Sequence, residues 1–183
     1  MPGIAAHMVA AKLVSEHLNI TDPDFIRGNL LPDVLKTSDS HHKIRGRIYL
    51  IPDINYFIEN FDFKSGLNSG YLCHLLLDKY FLEEFVPEHI ENLYVFEEKI
   101  IYKEYDMINF GLVERFDLDV GYLKSILGGL EGEIDKGKLD LNLRCLSISE
   151  VSETQHLKLD EFSEFLREAS IRIAGDLKAA AEL

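Results

Sequence analysis

Tryptophan is absent from the 183 residues, and cysteine occurs only twice, at Cys73 and Cys145. Two thiols with no CxxC pair cannot build a disulfide framework, which excludes the small stapled folds of secreted proteins. Basic residues are scarce as well: 19 Lys and Arg stand against 32 Asp and Glu, a formal charge of −13. A surface of that sign repels a phosphate backbone, so no nucleic-acid surface is expected, and it repels an anionic bilayer too. Long apolar runs are missing. No window approaches the roughly 18 apolar residues that a membrane span needs. The opening MPGIAAHMVAAKLV does not join a basic stretch to a long apolar one, the pattern of a secretory leader. Together these absences predict a reduced, soluble, cytoplasmic protein with no membrane span.

What is present is helical periodicity. At 46% hydrophobic and 28% charged the composition is that of a folded chain, and the length suits one domain, 1–183. Residues 4–18 place His7, Ala10, Ala11, Val14 and Leu18 on one stripe. Thr21 opens a T-D-P-D cap with Pro23 in the first turn, and Gly28 and Pro32 are expected to end that helix. The stretch from Asp33 to Arg47 loses periodicity, reads as a loop and holds His41 and His42; a loop of that length in a compact domain is more often functional than idle. Pro52 is placed in the first turn of the next helix. Residues 66–85 are apolar around the whole circumference, which marks a central buried helix. Further helices are expected over 88–105, 119–130 and from Asp160, as its N-cap, to the end. KLDLNLRCLSIS alternates briefly and reads as a short strand. The fold class is all-α, a helical bundle around the central helix.

That central helix carries two ionisable groups, His74 and Asp78, four residues apart and so on one face. Gly70 lies one turn earlier on the same stripe, where a missing side chain admits another backbone. A carboxylate buried in an apolar helix needs a cationic partner, a hydrogen bond or a metal. An i, i+4 His/Asp pair can chelate one ion, as the histidines of HExxH do. His7 on the first stripe, Asp33 after Pro32, and His41 and His42 in the polar loop could converge on the same place. Nitrogen and oxygen ligands of this kind suit zinc, or alternatively manganese or iron. Taken singly each has a plainer reading: a satisfied core histidine, a helix-end carboxylate, two solvated loop imidazoles.

The stretches MPGIAAH at the start, GNLLPD at 28–33, SHH at 40–42 and GYLCHLLLDKYF at 70–81 resemble the zinc-dependent phospholipase C family, whose fold is shared with the S1/P1 nucleases. The resemblance covers about the first 85 residues. It implies metal ligands at His7, Asp33, His41 or His42, His74 and Asp78, with Asp78 bridging two ions. Departures follow: Glu84 stands where a further histidine is usual, and His89 or the pair His156 and Asp160 would have to supply a later HxxxE, which reduces the metal complement to one or two ions. The activity implied is metal-dependent hydrolysis of a small phosphorylated substrate, a phosphoester or phosphodiester. Asp33 or Asp78 would handle the proton of the attacking water, and Arg45 and Arg47 would hold the phosphate. The competing expectation is a non-catalytic helical module, keeping at most one structural metal and binding a protein partner.

Overall fold

The computed structural model describes residues 2–37, 39–46, 49–90, 100–132, 134–147, 154 and 156–182. Alanine, leucine, methionine and lysine favour helix at the start of the chain, and α1 spans Ile4–Leu18. It ends at Asn19 in the left-handed conformation (φ 56°), which asparagine tolerates. Helix α2 spans Pro23–Val34; the Asp22 carboxylate accepts from the Asp24 amide at its start. Contrary to the expectation from Gly28 and Pro32, α2 runs through both. Pro32 removes one amide from the last turn, leaving a single carbonyl without its helical donor, and packing against the central helix outweighs that loss.

Gly28 has a different task. A Cβ there would lie 1.9 Å from the Leu67 carbonyl oxygen, and one on Gly70 would lie 2.0 Å from that of Phe25. Two helices therefore cross with their backbones touching: α2 and the central helix α4, Gly66–Tyr80. The expectation that Gly70 admits another backbone is met. From Leu72 to Asp78 every residue of α4 is buried. The helix continues through a π-helical turn, Phe81–Phe85, into a short α5, Val86–His89. Phe81 and Phe85 stack at 5.5 Å between ring centroids and meet Phe162 and Phe165 from the last helix.

Between α2 and α4 the chain forms an antiparallel hairpin of β1, Lys43–Arg45, and β2, Leu50–Pro52, with Ile44 opposite Ile51. Pro52 closes β2 instead of opening a helix. The Asp53 carboxylate, accepting from the Tyr56 amide, starts α3, Ile54–Asn60. The helix expected over 88–105 is found as α5, ending at His89, and α6, Ile100–Arg115; residues 91–99 lie outside the described ones. Then come α7, Val120–Gly128, α8, Lys136–Cys145, and α9, Leu159–Ala181. The alternating KLDLNLRC is helix, not strand: the Asp135 carboxylate accepts from the amides of Gly137 and Lys138, and that cap overrides the alternation. Lys158, not Asp160, is the N-cap of α9, and Asp160 pairs with Arg115 at 2.6 Å.

One hydrophobic cluster extends from Ile4 to Ala180, with α1 packed on α9 and α4 beneath α2. The architecture is mostly helical, with the two-stranded hairpin as its sheet, and so all-α. Among the described residues no helix is long and apolar enough to cross a membrane.

Candidate metal centre

The glycine-mediated crossing of α2 and α4 sets the floor of the site. It brings His74 and Asp78 of α4 against the end of α2, and α1 lays His7 over them. The imidazoles of His7 and His74 stack with centroids 3.7 Å apart and planes within 6°. His7, His74 and Asp78 are each 0% exposed, and His41 is buried beside them. Asp78 lies at the centre: His7 Nε2 stands 3.5 Å from Oδ1, while His41 Nε2 at 3.2 Å and His74 Nε2 at 3.5 Å face Oδ2. Asp33, from the last turn of α2, brings Oδ1 to 3.8 Å from His74 Nε2. Two ligand-capable sets result, His7–His74–Asp78 and Asp33–His41–His74, sharing His74.

Two hydrogen bonds fix the ring tautomers. His74 Nδ1 donates to the Asn29 carbonyl oxygen at 2.7 Å, which leaves the Nε2 lone pair turned toward the carboxylates. The Ser40 hydroxyl spends its proton on the Pro32 carbonyl at 2.9 Å. Its oxygen must then accept from His41 Nδ1, 2.8 Å away, so His41 also presents a bare Nε2 to Asp78. Bare lone pairs thus face carboxylate oxygens in a buried cluster. His41 Nε2, His74 Nε2, both nitrogens of His7, whose tautomer no hydrogen bond fixes, and both Asp78 oxygens are left without a well-aligned hydrogen bond. Leaving that many buried polar atoms unpaired is costly, and positive charge is one way to relieve it.

Protons or a metal can supply that charge. Without a metal, burial alone would raise the Asp78 carboxyl, yet His74, His41 and His7 hold it well below the usual carboxylate range. His74 is pushed up: burial opposes its charge, but Asp33 and Asp78 overcome that. His7 is pushed down by burial and by the charge of His74. The spacing is also one that a metal could accept. Two ligands at about 2.0–2.1 Å from one tetrahedral ion lie about 3.3 Å apart. The separations around Asp78 and His74, 3.2 to 3.8 Å, bracket that edge length. Good N–H···O hydrogen bonds span about 2.7–3.2 Å, which the His41–Asp78 separation of 3.2 Å also meets.

Five of the expected ligand residues therefore meet: His7, Asp33, His41, His74 and Asp78. His42 does not. Its backbone takes a positive φ of 40°, and its ring turns away to stack on Tyr56 at 3.8 Å and approach Asp39 at 3.4 Å. Of the adjacent histidines it is His41 that joins the buried cluster. Arg45 stands exposed on β1, outside the buried cluster, and Arg47 lies outside the described residues. The later candidates are engaged elsewhere: Glu84 with Arg172 at 2.7 Å, His89 near Glu161 at 3.8 Å, and His156 with Glu104 at 2.9 Å.

Sequence reasoning missed the residues that orient the cluster. Asn29 and Ser40 lie inside the quoted GNLLPD and SHH stretches, but their parts are a backbone carbonyl and a hydroxyl relay that spacing does not reveal. It also missed a cavity of about 320 Å³ lined by Asp33, Tyr105 and Asn109. Asp33, 19% exposed, is the member of the cluster that lines it. The fold and the site together define a mostly helical protein with a buried His/Asp cluster that could hold a metal ion. No family model, no curated protein and no solved structure matches the chain.

Proposed function

We propose that the chain is a metal-dependent hydrolase of small phosphoesters or phosphodiesters, using one or two zinc ions, or manganese or iron, in a fold of the phospholipase C and P1 nuclease kind. One observation carries this reading: three imidazole nitrogens and both oxygens of Asp78, buried and without hydrogen bonds, face one another at metal-ligand spacing. The donor set fits zinc, since neutral imidazoles with carboxylates are its ordinary ligands. His7, His74 and one oxygen of Asp78 would hold one ion. His41 and Asp33, which with His74 form the second ligand-capable set, would hold a second, His74 serving whichever ion takes its single lone pair.

A divalent ion there supplies a water of lowered pKa, about 7, and polarises a phosphoryl oxygen. The chain's residues supply the rest. Asp78 turns both oxygens to histidines and has no face for water, so its work is ligation. Asp33 reaches both His74 and the open cavity, so it is the carboxylate able to orient a water and take its proton. Ser40 and the Asn29 carbonyl keep the imidazoles in the ligating tautomer.

Elemental analysis with assay on p-nitrophenyl phosphodiesters tests the proposal. Two ions lost together in His74→Ala and Asp78→Ala, with hydrolysis lost alongside, support it; a chain that takes up no transition metal near neutral pH overturns it. The burial of the cluster favours a second reading, since structural metal sites are closed and catalytic ones keep an open position. One tightly held ion, with no hydrolysis and no change in Asp33→Asn, would establish that structural role.

A further inference from the structure

Helix α4 carries a third polar side chain on the face of His74 and Asp78. Tyr71 precedes them by three and seven residues, spacings that put all three on one stripe of a helix. Its ring packs on Phe57 of α3 with centroids 5.3 Å apart, and its hydroxyl donates to the Ser40 carbonyl oxygen at 2.5 Å. The same serine gives its own hydroxyl proton to the Pro32 carbonyl in the last turn of α2. Ser40 is therefore held twice, by its carbonyl to α4 and by its hydroxyl to α2.

Those two bonds set the direction of the next residue. The carbonyl that Tyr71 grips belongs to the peptide unit joining Ser40 to His41, and a planar peptide has no rotation of its own. With that plane fixed, His41 lies back against α4: Nδ1 meets Ser40 Oγ at 2.8 Å and Nε2 reaches Asp78 Oδ2 at 3.2 Å. The loop thus runs along α4, tied at Tyr71 and meeting the helix again at Asp78, about two turns further on. Beyond His41 the chain turns away. His42 takes its φ of 40°, its ring stacks on Tyr56, and its carbonyl accepts from the Asp53 amide at 3.1 Å.

We infer that Tyr71 is a positioning residue of the metal centre, its phenol fixing the Ser40–His41 peptide so that His41, and not His42, meets Asp78. The inference rests on the metal reading for the ion and deepens it by separating the two ligand sets. His7, His74 and Asp78 are placed by the packing of α1 on α4. Asp33, His41 and His74 need a residue from a loop, and Tyr71 supplies its tie to α4.

Zinc affinity by chelator competition tests this in the full-length chain, in Tyr71→Phe, in His41→Ala and in the double variant. Phenylalanine keeps the ring on Phe57 and removes the hydroxyl alone. Tyr71→Phe should weaken zinc at the set containing His41 about tenfold or more, the usual cost of an orienting partner, while an ion at His7, His74 and Asp78 stays as tight as in the wild type. In the His41→Ala background the same substitution should change nothing further, because Tyr71 acts through His41. Unchanged zinc affinity in Tyr71→Phe overturns the inference, as does an equal further loss in the double variant. The metal-free chain gives a second readout. The His41 Nδ1 proton, bonded to Ser40, should give a slowly exchanging imidazole resonance in the nitrogen-labelled wild type, and Tyr71→Phe should lose it while that of His74 persists. A wild type that takes up no zinc sinks the metal reading by itself. The resonance then decides for Tyr71: its loss in the variant upholds the positioning role, and its retention overturns it.

Discussion

At the scale of single residues the protein's chemistry depends on which atoms carry protons. Ser40 is the clearest case, because one hydroxyl proton committed to Pro32 dictates the tautomer of His41. Ser40→Ala should lower zinc affinity about tenfold, the usual cost of losing an orienting partner, read by chelator competition with no change in helix content. Acid should act on Asp78. Its folded pKa lies below the ordinary carboxylate value, so the stability it contributes is present above about pH 3.9 and lost as pH falls through the lower folded value. Metal-free wild type should therefore lose urea stability over that acid range, whereas Asp78→Asn should show a flatter dependence; parallel curves would refute the linkage. The two cysteines should separate in a thiol assay. Cys73 is wholly buried, and burial pushes its thiol up to about 12 although Asn29 opposes the shift. It should stay unreactive until the chain unfolds, while the half-buried Cys145 reacts in the native state.

Among the elements, the crossing of α2 and α4 decides where the site forms. A methyl group on Gly70 would enter the Phe25 carbonyl, a contact that backbone movement alone can relieve. Gly70→Ala should cost about 3 kcal/mol, the upper range for overpacking a core, and should also weaken zinc binding, because the shift parts Asn29 from His74. Calorimetric melting with a metal titration checks both effects. The local signals that failed here did so for identifiable reasons. Pro32 reads as a stop because only the chain's own amides enter the sequence argument, whereas in the fold α2 is held against α4. The alternation of Leu139, Leu141 and Leu143 reads as strand, yet Asp135 caps a helix in which Leu139 is buried and Leu141 exposed. The pairing of His156 with Asp160 in sequence dissolves because Glu104 and Arg115, both from α6, claim them first.

For the whole molecule, the metal should be a stabiliser. Ligand at a hundred times its Kd adds about 2.7 kcal/mol, which for a domain of this size raises Tm by about 5–10 °C. Zinc should produce that rise in the wild type and none in His74→Ala; equal rises in both would place the ion elsewhere. How much was legible beforehand divides along physical lines. Composition and helical period determine an all-α chain with a greasy central helix, since they report which faces avoid water, and the i, i+4 spacing of His74 and Asp78 marks one face whatever surrounds it. The role of Gly70 is legible for the same local reason. Which of His41 and His42 turns inward, and that Asn29 and Ser40 set tautomers, are decided only by the tertiary structure. Those facts depend on the positions of atoms from segments far apart in the chain, and no pattern within a single segment encodes the distance between them.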